Sequence, residues 1–168
     1  MIYENHFYTT KEMYKEFVNK VLCRKIWFMG IAAVVIGVVS LILGGILVKS
    51  NLIMLSFACL FWAVASIIIA PRTTLKNLVN YDYKLHRGEN PECIVSFESN
   101  IKMKEGRVSI EIEYDQITAL YKLKTCNILM FTKQNGIMYV SDGFAGESSD
   151  FEEFILKKCK NLKRIISR

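Results

Sequence analysis

Residues 26–48 are 23 consecutive residues without a charge, and residues 51–70 are 20 more, with only Lys49 and Ser50 between them. As helices the two runs measure roughly 34 Å and roughly 30 Å at about 1.5 Å per residue, and each is long enough to cross a bilayer. So short a connection allows only a tight helical hairpin. In hydrocarbon every backbone polar group must be satisfied within the segment, which makes two helices the economical form. A hairpin buried in a soluble core is the alternative, and charge-free runs of this length argue against it.

Small residues recur in both runs at spacings of three and four. Gly30, Ala33, Gly37, Ser40 and Gly44 mark the first, and Ser56, Cys59, Ala63, Ser66 and Ala70 the second. Such spacing puts small side chains on one stripe of each helix, so that two backbones can approach closely where lipid offers no hydrophobic drive for association. A turn centred on Lys49 and Ser50 sets Gly44 opposite Ser56, Gly37 opposite Ala63 and Gly30 opposite Ala70.

Charge placement gives an orientation. Arg24 and Lys25 precede the first run, Arg72 and Lys76 follow the second, and the turn offers only Lys49. Positive residues flank the cytoplasmic ends of membrane helices, so the expectation is a multi-pass protein of the cell membrane with both termini inside. The 25 largely polar residues before the first run do not read as a cleavable signal peptide. The chain carries 22 Lys and Arg against 16 Asp and Glu, a net +6. Lys157, Lys158, Lys160, Lys163, Arg164 and Arg168, with no acid among them, account for that excess. This basic tail is a candidate contact for anionic lipid at about 1 kcal/mol per cation near the surface. A solvated helix face that complements its own C-terminal dipole explains the same residues. Nucleic acid is a poorer partner because the tail lacks interleaved aromatics.

Chemistry-bearing residues are sparse. The five cysteines, Cys23, Cys59, Cys93, Cys126 and Cys159, are scattered without a CxxC, which suits a reduced compartment and makes no metal or disulfide framework. His6 and His86 stand apart from any evident ligand partner along the chain, so no metal and no cofactor is expected. Glu111 and Glu113 share a strand face and imitate a carboxylate pair, but alternating acids usually line the solvated side of a sheet. No nucleophile elbow, P-loop or zinc-protease motif is present, and the reading is of a non-enzyme. Transport is poorly served by two helices with no ionisable group inside them.

Outside the hairpin, residues 2–8 read as a short strand. Thr9-Thr10-Lys11-Glu12 reads as a capping box opening an amphipathic helix, with Met13, Tyr14, Phe17, Val18, Val21 and Leu22 on one face. That face either lies in the headgroup region or, as the modest charge of residues 1–25 favours, packs on the chain's own folded part. After Pro71 another helix extends to about His86 and ends at Arg87-Gly88-Glu89-Asn90-Pro91. The period then falls to near two, with strands expected over 93–97, 101–104, 108–114, 117–124, 128–132 and 137–140. Asn135-Gly136 signals a type I′ hairpin. Ser149 and Glu152 form a second capping box before a helix whose apolar stripe is Phe151, Phe154, Ile155, Cys159 and Leu162. The expected organisation is residues 1–25, strand and amphipathic helix; 26–70, membrane α-helical hairpin; 71–91, juxtamembrane helix and linker; and 92–168, an α+β domain. In that domain an antiparallel β meander is covered by a C-terminal helix, the element order of a pleckstrin-homology-like fold.

The N-terminal Tyr8-Thr9-Thr10-Lys11-Glu12 running on to Tyr14 and Phe17, the hairpin, the Tyr114-Asp115-Gln116-Ile117 step, and Phe144 followed by Phe151-Glu152-Glu153-Phe154 resemble the YcxB-like family of small bacterial membrane proteins. The resemblance implies two membrane helices and a pleckstrin-homology-like cytoplasmic domain, and it implies no particular chemistry. Where that family carries Pro and a basic residue before the matched Phe, this chain has Ser141-Asp142-Gly143, and the turn at Glu98-Ser99-Asn100 lacks the basic cluster that phosphoinositide capture would need. Two functions follow. One is a membrane-anchored interaction module with a protein partner at its cytoplasmic domain; the other is a structural or regulatory subunit that associates through the hairpin.

Overall fold

A computed structural model describes residues 3–146 and 148–167. Ile2 of the expected first strand and Arg168 of the basic tail lie outside the described residues. The chain divides into two compact units, Phe17–Val79 on the one hand and Met1–Glu16 with Asn80–Arg168 on the other.

In the first unit the apolar runs form two antiparallel helices. Helix α2 (Arg24–Leu47) follows helix α1 (Lys11–Phe17), a π-helical turn (Val18–Leu22) and a break at Cys23. Helix α3 (Ser50–Val64) passes through a π-helical turn (Ala65–Ile69) into α4 (Ala70–Leu85). Pro71 therefore does not end the second helix. It stands just inside α4, beyond a turn whose wider hydrogen bonding, Ala70 N–H to the Ala65 carbonyl, closes the ladder before the ring is reached. A proline at such a position forfeits little, since its missing N–H falls where the ladder is already interrupted.

The hairpin turn is displaced from the expected one. Val48 adopts the left-handed region (φ 50, ψ 40), and the Lys49 N–H returns 3.1 Å to the Gly44 carbonyl, the closure by which helices ordinarily end on glycine. Turning there moves the facing register by about one helical turn. A β-carbon on Gly37 would stand 3.3 Å from the Cys59 Cβ, one on Gly30 3.1 Å from the Ser66 Cβ, and one on Gly44 3.1 Å from the Leu52 Cβ. Gly37 thus faces Cys59 and Leu60 rather than Ala63, Gly30 faces Ser66 and Ile67 rather than Ala70, and Gly44 faces Leu52 and Ile53 rather than Ser56.

The second unit contains two four-stranded sheets. Strands β1 (Tyr3–Tyr8), β2 (Glu92–Phe97), β3 (Ile101–Glu105) and β4 (Val108–Ile112) pair antiparallel in that order. The second sheet runs β7 (Gly136–Tyr139), β6 (Asn127–Met130), β5 (Ala119–Lys122), β8 (Arg164–Ser167), with β8 parallel to β5. Two expectations are corrected here. The N-terminal strand is not separate from residues 92–168, because β1 pairs with β2 along its whole length, from Tyr3 opposite Phe97 to Tyr8 opposite Glu92. Nor does the chain finish in a covering helix: α5 (Phe151–Lys158) ends at Cys159 and the chain returns as β8. The open edge of β5 draws it in, since the Lys163 N–H reaches the Thr118 carbonyl at 3.0 Å and the Asn161 amide the Asp115 carbonyl at 2.7 Å.

The single meander is split by a 3-10 turn (Tyr114–Gln116) that buries Tyr114 between β4 and β5. Other local signals shift by a residue or two. Thr10, not Thr9, caps α1, accepting the Met13 N–H at 3.3 Å, because the Thr9 hydroxyl is given to Glu105. At α5 no side chain caps the helix, and Ser149 donates to its neighbour Asp150 instead. Asn135 and Gly136 do not take the positive φ of a type I′ turn. The Thr132 hydroxyl accepts the amides of Gln134 and Asn135, and Gly136 opens β7 where a β-carbon would stand 2.7 Å from Ile128 and Met130 atoms.

An aromatic cluster adjoins the aliphatic core of this unit, which includes Ile101, Ile117, Leu120, Ile128 and Leu129. Tyr3, Phe97, Tyr139, Phe144 and Phe154 surround Phe151 with ring centroids 4.5 to 6.3 Å away. One buried polar side chain joins the sheets. Asn5, fully buried on β1, donates to the Val140 carbonyl at 2.7 Å and accepts the Val140 N–H at 3.0 Å. The other edge of β1 is closed by the segment after β7: the His6 N–H meets the Gly143 carbonyl at 2.7 Å, and only glycine fits there, since a β-carbon would lie 2.5 Å from the His6 carbonyl.

Candidate functional site

The residues singled out from sequence fall in three places. Gly30, Ala33, Gly37, Ser40 and Gly44 are the buried residues of α2, and Ser56, Ala63 and Ser66 are buried on the facing helix, with Cys59 and Ala70 half-buried. The Ser56 hydroxyl has no hydrogen-bond partner among the described residues, so its contribution there is small size rather than polarity. The stripe is consumed within the hairpin.

The basic tail does not form one helix face. Lys157 and Lys158 end α5, where they complement its C-terminal carbonyls; Lys160 lies in the turn, Lys163 precedes β8 and Arg164 opens it. All five are exposed, and Lys158 lies 5.7 Å from the centre of the Tyr114 ring, so part of the charge rests on an aromatic face. Glu111 is likewise occupied, paired across the strands with Lys102 at 3.9 Å and accepting from the Asn100 amide at 3.0 Å. Glu113 lies beyond the end of β4.

His86 is not isolated from ligands. Its Nε2 lies 3.5 Å from an Asp82 carboxylate oxygen and 3.7 Å from Glu105 Oε2. Among the described residues, these three bring His, Cys or acid ligand atoms together within 4.8 Å of one another. His6 also has acids beside it, Glu92 at 3.3 Å and Glu4 at 3.8 Å, on an exposed strand face.

Two elements of the sheet unit supply the cluster. Asp82 and His86 lie one turn apart at the end of α4, which closes through left-handed Arg87 and Gly88. Glu105 ends β3 opposite Cys93, and the chain turns away at Gly106, φ 55, where a β-carbon would lie 3.3 Å from His86 Nδ1. The side chains are 4% exposed at His86, 13% at Glu105 and 25% at Asp82, so the imidazole forms the floor and Asp82 the entrance. A neighbouring hydroxyl steers one acid, Thr9 donating to Glu105 Oε1 at 3.1 Å, and the Tyr14 phenol lies close enough to Asp82 to feel its charge.

Burial raises the Glu105 pKa and the nearby Asp82 charge adds to this, while the Thr9 hydrogen bond and His86 pull it back. The Tyr14 phenol is raised by burial and then by the charges of Asp82 and Glu105, so it stays a donor. Cys93 is pushed up to about 12, by burial first and the Glu105 charge second. Cys126 and Cys159 rise to about 11, mainly through burial. A thiol moved from 9.0 to about 12 presents roughly a thousandth of the thiolate at a given mildly alkaline pH. Cys93 should therefore resist iodoacetamide in the folded protein and react at an ordinary rate in denaturant, as read by peptide mass spectrometry; rapid native labelling would contradict this packing.

Comparison with protein-family models, with curated proteins and with solved structures found no match to this chain. The chemistry at hand is that of its own side chains: a buried imidazole with two carboxylates, and an exposed apolar surface on the two long helices.

Proposed function

We propose that the chain is an integral membrane protein whose hairpin anchors a pleckstrin-homology-like interaction module, a binding rather than catalytic part, with both termini cytoplasmic. One observation carries the reading. Only 22% and 17% of the most apolar stretches of the two long helices are buried within the chain, and Phe28, Phe57, Phe61 and Trp62 point outward with more than half of their surface exposed. Core helices of a soluble protein bury such side chains, whereas lipid is the solvent that accepts them. The pattern of positive residues supports the orientation. The resemblance to the YcxB-like family, and two sheets with a helix whose Phe151 and Ile155 are buried, support the fold of the module.

The module has a place for a partner. β4 is an edge strand, and beside it opens a cleft of about 740 Å³ lined by Ile110, Glu111, Gln116, Thr132 and Lys163 among others. A free strand edge next to a groove is the surface by which many sheet proteins take an extended peptide. The small-residue stripe of the hairpin is already covered by its own partner helix, which leaves less for a subunit that would assemble through it. A photo-crosslinking amino acid placed at Gln116 and, separately, at Phe61 in the full-length protein separates the two readings. Protein adducts at 116 with lipid adducts at 61 are expected; protein adducts confined to 61 would favour the subunit reading instead.

A further inference from the structure

We propose that Asp82, His86 and Glu105 bind a divalent transition-metal ion of the zinc type. Donors held about 2.0–2.2 Å from a four-coordinate zinc stand about 3.3–3.6 Å apart. The His86 Nε2 distances to Asp82 and Glu105, 3.5 and 3.7 Å, are close to two such edges. They are too long for good hydrogen bonds, and Nε2 is a buried nitrogen with no hydrogen-bond partner on a residue only 8% exposed. A cation between the three groups satisfies that nitrogen and offsets two neighbouring carboxylates at once. One nitrogen and two oxygens suit zinc, and the more exposed Asp82 side provides entry and room for a water as fourth ligand.

The surroundings are those of a built site. Glu105 gives one carboxylate oxygen to Thr9 and keeps the other toward His86, and such an outer hydroxyl is what orients a metal-binding carboxylate. The ion would fasten the end of α4 to the end of β3, both in the sheet unit. This inference stands whether or not the hairpin enters a membrane.

The test uses the full-length protein in detergent micelles, stripped with a chelator and titrated with zinc chloride against a chromophoric zinc indicator. One equivalent should bind per chain and raise the thermal midpoint. His86→Gln and Glu105→Gln should each weaken binding by about 100-fold or more, and Thr9→Val, which removes the outer hydroxyl on Glu105, by about 10-fold. His6→Gln, which removes the other histidine beside acids, should leave it unchanged. Should the ligand variants fail to fold, cobalt(II) added to the wild-type protein decides: the visible absorption of a four-coordinate ion supports the site. Its absence, zinc uptake no greater than that of an Asp82→Asn, His86→Gln, Glu105→Gln triple variant, or equal loss in His6→Gln would overturn the proposal.

Discussion

Residues 90–168 expressed alone should not fold, because the strand that completes their first sheet comes from the other side of the hairpin. Without β1 the fragment loses the burial of Tyr3 and Phe7, each at most 7% exposed, and both hydrogen bonds of Asn5 to Val140. Burying a large apolar side chain is worth about 1.5–3 kcal/mol, and stranding a buried polar partner costs about 1–3 kcal/mol for each group. The loss is about 5–12 kcal/mol, comparable with the whole stability of a small domain. The fragment should show no cooperative thermal unfolding by circular dichroism. A chain joining residues 1–16 to 80–168 through a flexible linker should regain it. Equal cooperativity in the two proteins would show β1 to be dispensable.

Gly37→Leu should separate the hairpin helices, while Gly45→Leu, a little over two turns further along, should be tolerated. A β-carbon at Gly37 already lies 3.2 Å from Leu60 and 3.3 Å from Cys59, whereas nothing lies within 4 Å of one at Gly45. Forcing a larger side chain into close packing costs about 1–3 kcal/mol, and a leucine adds three carbons beyond the first. Thermal unfolding in detergent should reveal the difference. The register gives a sharper readout. Gly37→Cys puts a thiol next to native Cys59, with β-carbons 3.3 Å apart, near the usual 3.5–4.5 Å of a disulfide. Mild oxidation should pair residues 37 and 59, and a Gly37→Cys, Ala63→Cys protein should still prefer 59. Pairing of 37 with 63 would restore the turn at Lys49 and Ser50.

What was legible in the sequence followed periodicity. Charge-free length marked the two helices, and three-four spacing marked Gly30, Ala33, Gly37, Ser40 and Gly44, the residues that α2 buries. Alternation located β2 to β7 to within a few residues, and the stripe of Phe151 and Ile155 located α5. Features set by distant partners were not legible. The helix register hung on Val48 taking a left-handed conformation that β-branched residues avoid. β8 formed because β5 had an open edge, and Thr9 left its cap for an acid nearly a hundred positions away. The His86 cluster was half visible, since Asp82 and His86 have the spacing of neighbours on one helix face. Glu105 joins them through the β2–β3 register, which places it opposite Cys93.

The central claim is that residues 26–70 reside in lipid. Membranes from cells expressing the full-length chain, washed in alkaline carbonate and sedimented, test it most directly. The account predicts that the protein stays in the pellet and leaves it only with detergent. Release into the carbonate supernatant would contradict it.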